Sequence, residues 1–386
     1  MRGKRTLRDR KVYGFLLLVG CGVALLLAEG GLRLVIPGYV ASAGIERNYF
    51  CRFDDEIGWT PLANITARHQ RQGFSVMVHQ NQFGLRGPDA MKRENTSATT
   101  RILVLGDSYV WGYGVDQDRI FTEPNVHRSE KELINFGVSG YGTDQEYLFY
   151  LREGVRFEVD EVVLTVTPYN DVENNLAGEQ YDKLKPYFEL SDQGLVLHND
   201  HIKENKLQSA VDWVWSHSRA VNLLDKAYRT FLNWVYARQS GEDVAISTTG
   251  ILNAAAVTSR DQKGVVLTVR IIEALRDAVS ATGARFSVVI VPYKPHILNK
   301  ISHNHPFVPL FAKELEETNI EYYEPYYLFL NEENGEVFFN KHDNHFSPTG
   351  HALFGKVLVD SASRAAARNF YSADRASSQQ KNRIPG

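Results

Sequence analysis

The chain has 386 residues, 43% hydrophobic and 23% charged, with 43 Lys plus Arg against 46 Asp plus Glu, which is ordinary globular composition. That length allows one large domain with insertions or two smaller ones, and collagen-like, coiled-coil and wholly disordered classes are excluded. Residues 1–11 carry Arg2, Lys4, Arg5, Arg8, Arg10 and Lys11 against Asp9, a local +5 within a total of −3, so the remainder stands at −8 and offers no basic footprint for nucleic acid.

Behind the basic tip, Val12 to Ala28 runs for seventeen residues without a charge and continues more weakly past Glu29 and Arg33 to Ile36. A helix rising about 1.5 Å per residue needs roughly 20 residues to cross the hydrocarbon. The expectation is a single transmembrane anchor over 12–36. Residues 1–11 would then be cytoplasmic and everything from residue 40 extracytoplasmic, periplasmic or extracellular. Three rivals stand beside it: a signal cleaved at the small residues around Ala28-Glu29-Gly30, a lipobox at Leu18-Val19-Gly20-Cys21, and a buried soluble helix. The lipobox is weakened by the apolar run continuing past Cys21. Cys21 and Cys51 build no disulfide framework.

Residues 40–100, with DDEIGWTPLAN and HQNQFGLRGPD, read as short strands and turns that connect to and pack on a main domain at 101–370. Within it, apolar strands are expected at 101–107, 133–138, 159–168, 284–292 and 320–326. Helical periods lie between them at 143–154, 263–283 and 311–319, and a last one closes the domain at 347–368. Near-continuous apolar strands separated by helices argue for a parallel sheet covered on both faces. An insertion over about 176–262 holds a hairpin at 185–199 and an aromatic helical stretch with Trp213, Trp215, Trp234 and Tyr236, a lid or partner surface or a plain helical cap. Residues 371–386 are a polar tail.

Functional groups of such sheets gather at the carboxyl ends of the strands. After the first strand come Gly106, Asp107 and Ser108, a serine on a sharp turn. After the second comes NFGVSGYG with Gly140, and after the third Pro168-Tyr169-Asn170-Asp171 brings an amide donor to the same edge. Asp343-Asn344-His345 precedes the last helix, and a histidine there can take a serine's proton while the carboxylate orients its ring. Each element alone reads as a turn, a cap or a solvated loop; four in this order at strand ends shift the balance. No Rossmann or phosphate-loop pattern and no Cys or HExxH cluster is present, so neither a cofactor nor a metal is expected, and His351, on the closing helix, reads as structural.

In these blocks the sequence resembles the SGNH hydrolases, the GDSL-type lipase and esterase superfamily. The Ser block matches GDSYVWGYGV, the Gly block NFGVSGYGT, the Asn block PYND and the His block DNHFSPTGH, over about residues 100–175 and 284–367. The resemblance implies a flavodoxin-like three-layer α/β sandwich with a parallel sheet. It also implies an acyl-enzyme hydrolase with Ser108 as nucleophile, His345 as base and Asp343 as its support. The oxyanion hole would be made of the Ser108 and Gly140 N–H groups with the Asn170 amide. Tyr109 replaces the leucine of GDSL, and Pro168 replaces a glycine before the Asn. The Asp-x-His spacing, with Phe346 and Ser347 following, resembles the membrane-anchored branch that includes alginate O-acetylation proteins. The expected function is removal of acetyl or other acyl groups from a glycan or related ester. The alternatives are a polysaccharide O-acetyltransferase with the same triad and a non-catalytic binding or assembly module. The ester substrate and the membrane are the partners expected, with no nucleic acid.

Overall fold

The structure, a computed structural model, describes residues 7–35, 46–71, 73–221, 257–301, 303–330 and 335–360, together with 223–224, 227–228 and 363–364. Residues 1–6 of the basic tip, Ile36, Trp234, Tyr236 and the tail over 371–386 lie outside the described residues, as does the side chain of Trp215. The chain forms two units, one of Met1–Tyr49 with Lys206–Ala245, the other of Phe50–Asn205 with Ile246–Gly386. The stretch expected as one insertion is therefore divided between them.

In the first unit, helix Leu7–Val35 contains one segment, Val12–Val35, apolar and long enough to cross a membrane, and none of it is buried. Its two charges are paired, Arg33 Nε donating to Glu29 Oε1 at 2.7 Å. Glu29 Oε2 also accepts from Ser218 Oγ and from the Ala220 N–H, both at 3.0 Å, and Arg219 Nη1 donates to the Leu32 carbonyl at 3.3 Å. Helix Lys206–His217 leads into this turn.

The second unit opens with two antiparallel ribbons, β1 (Cys51–Asp54) with β2 (Gly58–Pro61) and β3 (Ile65–Arg71) with β4 (Phe74–Gln80). In the latter pair Ala67, His69, Val76 and Val78 face inward at period two. Then come β5 (Arg101–Gly106), β6 (Glu132–Gly137) and β7 (Glu161–Val166). The short β8 (Glu179–Gln180) and β9 (Lys183–Leu184) pair with each other, and β10 (Tyr187–Ser191) with β11 (Gly194–His198) is the hairpin expected there. β12 (Arg285–Ile290) and β13 (Tyr322–Tyr323) complete the sheet.

The five-stranded sheet is parallel throughout, in the order β13-β12-β7-β5-β6. Counted along the chain this is 2-1-3-4-5, the flavodoxin-like doubly wound order, whose switch point lies between β5 and β7. Leu103, Leu105, Ile134, Phe136 and Leu164 pack on one face under helices Thr143–Arg152, Ser259–Ser280 and Val308–Glu317. Ile102, Val104, Leu133 and Val163 pack on the other against Val110, Phe329 and Phe354. Strands covered on both sides are the reason the sequence shows apolar runs there instead of alternation.

Two boundaries differ from the sequence expectation for identifiable reasons. The strand expected over 320–326 shortens to β13, because Pro325 lacks an N–H for the ladder and helix Tyr326–Leu330 begins beside it. The helix expected from 263 starts at Ser259, where Thr258 and Asp261 form a reciprocal capping box.

Lys185, fully buried, fastens the β9–β10 segment to the sheet's helices. Its ammonium pairs with the equally buried Asp144 and donates to the carbonyls of Asn174 (3.0 Å), Ala177 (3.1 Å) and Pro186 (2.8 Å). Lys185→Met strands the Asp144 carboxylate in a dry site and should lower the unfolding free energy by about 3–5 kcal/mol. Adding Asp144→Asn should restore part of it, as denaturant titration of the two variants measures.

Candidate active site

The residues singled out in the sequence come together at the carboxyl edge of the sheet, astride the switch point. Gly106 ends β5, and Asp107 caps the one-turn helix Ser108–Trp111 by accepting from the Tyr109 N–H at 2.9 Å. This helix rides directly over β6. A Cβ on Gly137 would fall 2.2 Å from the Trp111 nitrogen, so only glycine admits the approach. Asn135 secures the same crossing, its amide donating to the Val110 carbonyl at 2.8 Å. Arg86, buried, closes the other end of the turn by donating to the carbonyls of Trp111, Gly112 and Val115 at 2.7–3.0 Å. Burial brings its guanidinium down to about 9, against the opposing charges of Asp116 and Glu123.

Ser108 Oγ lies 2.7 Å from His345 Nε2, and His345 Nδ1 lies 3.1 Å from Asp343 Oδ1. The same carboxylate oxygen accepts the His345 backbone N–H at 2.8 Å. One intervening residue therefore suffices between acid and imidazole, since the carboxylate caps the turn and holds the ring at once. Burial works to raise the Asp343 carboxyl, but the hydrogen bonds and charge of His345 outweigh it and hold the acid below its ordinary value. With that acid ionised, Nδ1–H donates to Asp343 and Nε2 is the acceptor facing Ser108. Such an arrangement can withdraw the serine proton and return it to a leaving group.

Asn170 stands across the switch point. Pro168 occupies the first position of helix Pro168–Asn175, where its missing N–H is no loss, and this brings Asn170 into the first turn. Asn170 Nδ2 donates to Asp107 Oδ2 at 3.0 Å, leaving its second amide proton uncommitted to that bond. Gly140 sits at φ +79°, a left-handed conformation suited to glycine. The preceding carbonyl, that of Ser139, accepts from the Trp59 indole at 3.3 Å. In a trans planar peptide the Gly140 N–H then points away from Trp59.

Sequence reasoning missed the residues that hold this constellation in place. The imidazole of His345 stacks on Tyr113, ring centroids 4.2 Å apart, and Tyr113 is backed by His69 and Phe74 of the β3–β4 ribbon. The tip of that ribbon meets the residue just before the His block, since a Cβ on Gly73 would lie 2.3 Å from the His342 ring. Lys294, just past β12, donates to the carbonyls of Asn340 and Asp343 at 2.6 and 2.5 Å. Tyr109 Oη donates to the Asn344 carbonyl at 2.6 Å and receives the hydroxyl proton of Tyr169. Tyr109, where GDSL has leucine, thus anchors the His loop. An aromatic following a serine, and a lysine following an apolar strand, are the only local signals of these roles. His351 is buried face to face with Phe121, and burial, with the charges of Arg86 and His345, brings it down to about 3. Among the described residues no group of three or more His, Cys, Asp or Glu is arranged to hold a metal ion.

Behind the Ser and Asn turns lies a second layer of carboxyls, Asp107, Asp144, Glu146 and Asp171, all buried. Burial, then mutual repulsion, drives Glu146 and Asp171 well above the ordinary carboxylate range. Neither Glu146 oxygen has a hydrogen-bond partner among the described residues.

No family model and no curated protein sequence matches this chain. Solved structures similar to it include a G-D-S-L family lipolytic protein from Desulfitobacterium hafniense, at 13% identity and TM-score 0.37, with 69% of this chain and 99% of that one covered. A lipase/acylhydrolase from Enterococcus faecalis matches at 13% identity and TM-score 0.35, over 69% and 96% of the two chains. The acetyl xylan esterase AlAXEase matches at 10% identity and TM-score 0.35, over 67% and 97%.

Two outcomes test the packing of the site. Tyr109→Phe keeps the ring but releases the Asn344 carbonyl, so any activity that runs through His345 should fall by about 5-fold while the melting temperature changes little, as for loss of one hydrogen bond worth roughly 1 kcal/mol. A carboxyl raised in the folded state contributes stability below its unfolded pKa and withdraws it as pH climbs through the folded value. Glu146→Gln should therefore melt higher than the parent at pH 9, with the gap closing toward pH 5. A gap independent of pH would show that Glu146 is already ionised when buried.

Proposed function

We propose that the chain is a membrane-anchored, extracytoplasmic serine esterase of the SGNH type that removes acyl groups, acetyl foremost, from a glycan or related ester. In this reading residues 12–36 cross the membrane behind a cytoplasmic tip at 1–11, residues 40–100 pack on the core, and 101–370 carry the chemistry. The observation that carries it is the unbroken hydrogen-bond chain from Asp343 through His345 to Ser108.

Ser108 Oγ attacks the ester carbonyl as its proton passes to His345 Nε2, and the imidazolium is held by ionised Asp343. The oxyanion is received by the Ser108 and Gly140 N–H groups and the second amide proton of Asn170. One such donor contributes about 10²–10³ in rate. His345 then protonates the departing sugar oxygen, leaving an acyl-serine. Water, deprotonated by the same imidazole, attacks that acyl carbon, and Ser108 recovers its proton as the carboxylic acid leaves. The glycan is supported by the Asp343-Asn344-His345-Phe346-Ser347 pattern, and the extracytoplasmic setting by the apolar segment Val12–Val35.

The purified full-length chain, assayed in detergent on acetyl esters with and without an oligosaccharide acceptor, should release acetate into water and be labelled by a fluorophosphonate. Ser108→Ala should abolish both, and Asp343→Asn should lower kcat by roughly 10⁴-fold. Acetate transferred onto the sugar would instead make the protein an O-acetyltransferase. A folded sample with neither turnover nor labelling would make it a binding module.

A further inference from the structure

The segment that follows residue 205 is amphipathic, and apart from the buried Ala220 its large apolar residues, among those described, stay largely exposed. Leu207 is 76% exposed, Trp213 61%, Leu224 62% and Tyr228 59%, with Val211, Val214 and Leu223 between 36% and 40%. At 100° per residue Leu207, Ala210, Val211, Trp213 and Val214 fall within one broad arc of helix Lys206–His217, opposite Gln208 and Ser209. So much exposed apolar surface in some twenty residues marks a contact surface.

What covers that surface follows from where the segment is tied. Val12 to Ala28 spans about 25 Å as a helix, so Glu29, the first charge after the uncharged run, sits near the far interface of the span. The turn after helix Lys206–His217 is fixed at this level by Ser218 Oγ and the Ala220 N–H on Glu29, and one turn further along by Arg219 on the Leu32 carbonyl. Glu29 and Leu32 are the two positions of the apolar helix, among those described, that are partly covered. Tryptophan and tyrosine at that level are suited to the headgroup region, with apolar bodies inward and polar edges in water. The sequence of 206–229 adds Lys206, Arg219, Lys226 and Arg229 against Asp212 and Asp225, a balance suited to anionic headgroups.

We propose that residues 206–221, with the described residues 223–224 and 227–228, lie in the bilayer interface beside the end of the membrane-spanning helix, with Leu207, Trp213, Val214 and Leu224 immersed among lipid headgroups and upper acyl chains. This rests on the reading of Val12–Val35 as a membrane span. It makes the aromatic insertion a second membrane contact instead of a lid or a protein-docking face.

The test uses full-length protein carrying Cys21→Ser and Cys51→Ser, reconstituted in phosphatidylcholine vesicles with a phosphatidylglycerol fraction. Single nitroxides are placed through Leu207→Cys, Val214→Cys or Leu224→Cys, with Leu17→Cys in the span and Gln193→Cys on the exposed hairpin as references. Power saturation against oxygen and a water-soluble nickel chelate reads immersion. The three insertion sites should favour oxygen over nickel, giving depths between those of Leu17→Cys and Gln193→Cys. A lipid reading at Leu17→Cys with water readings at all three sites overturns this proposal and leaves the anchor standing. A water reading at Leu17→Cys overturns the anchor and the proposal with it. Sites screened from both reagents signal a protein contact and also overturn it.

Discussion

Burying a carboxylate is tolerated only when its oxygens are answered by donors, and Asp107 meets that condition by joining two strand ends. One oxygen takes the N–H that starts the serine's helical turn, the other takes the amide of Asn170 beyond the neighbouring strand. The pair spans the switch point of the sheet, where the topology leaves a crevice between helices that depart to opposite faces. A single acid therefore sets the separation between the serine and the amide. It also sets the proton state behind them, because its charge, added to burial, is one of those that push Glu146 and Asp171 toward their neutral forms.

The histidine is placed by a different device. Its loop has no sheet hydrogen bonds to lean on beyond the bridge between Phe339 and Phe346, so its carbonyls are taken up by side chains. Lys294 holds Asn340 and Asp343, Tyr109 holds Asn344, and the Tyr113 ring fixes the plane of the imidazole. Packing and charge-assisted hydrogen bonds thereby replace secondary structure in keeping the imidazole within reach of Ser108.

Much of this was legible before any coordinates. β5, β6, β7 and β12 fall within or close to the apolar runs that mark them, because a strand buried on both faces must be apolar throughout. The serine, glycine, amide and histidine blocks were legible because each must follow a strand end or open a helix. The remainder is encoded in contacts whose partners are far apart in sequence. Trp59 meets Ser139 across 80 residues, Lys185 meets Asp144 across 41 and Glu29 meets Ser218 across 189, and no local periodicity signals any of them. Lys185 sits in a stretch that reads as an ordinary exposed hairpin start. The division of the insertion between two units was hidden for the same reason, since helical period alone does not say which neighbour a helix chooses.

The β3–β4 ribbon lies upstream of every sheet strand, yet His69 and Phe74 form the wall behind the ring that stacks on His345. Substitution tolerance along the chain should thus be set by distance in space, and residues 65–80 carry a burden that their position outside the doubly wound sheet conceals. Substitutions at His69 or Phe74 should therefore register at the imidazole as a change of tilt.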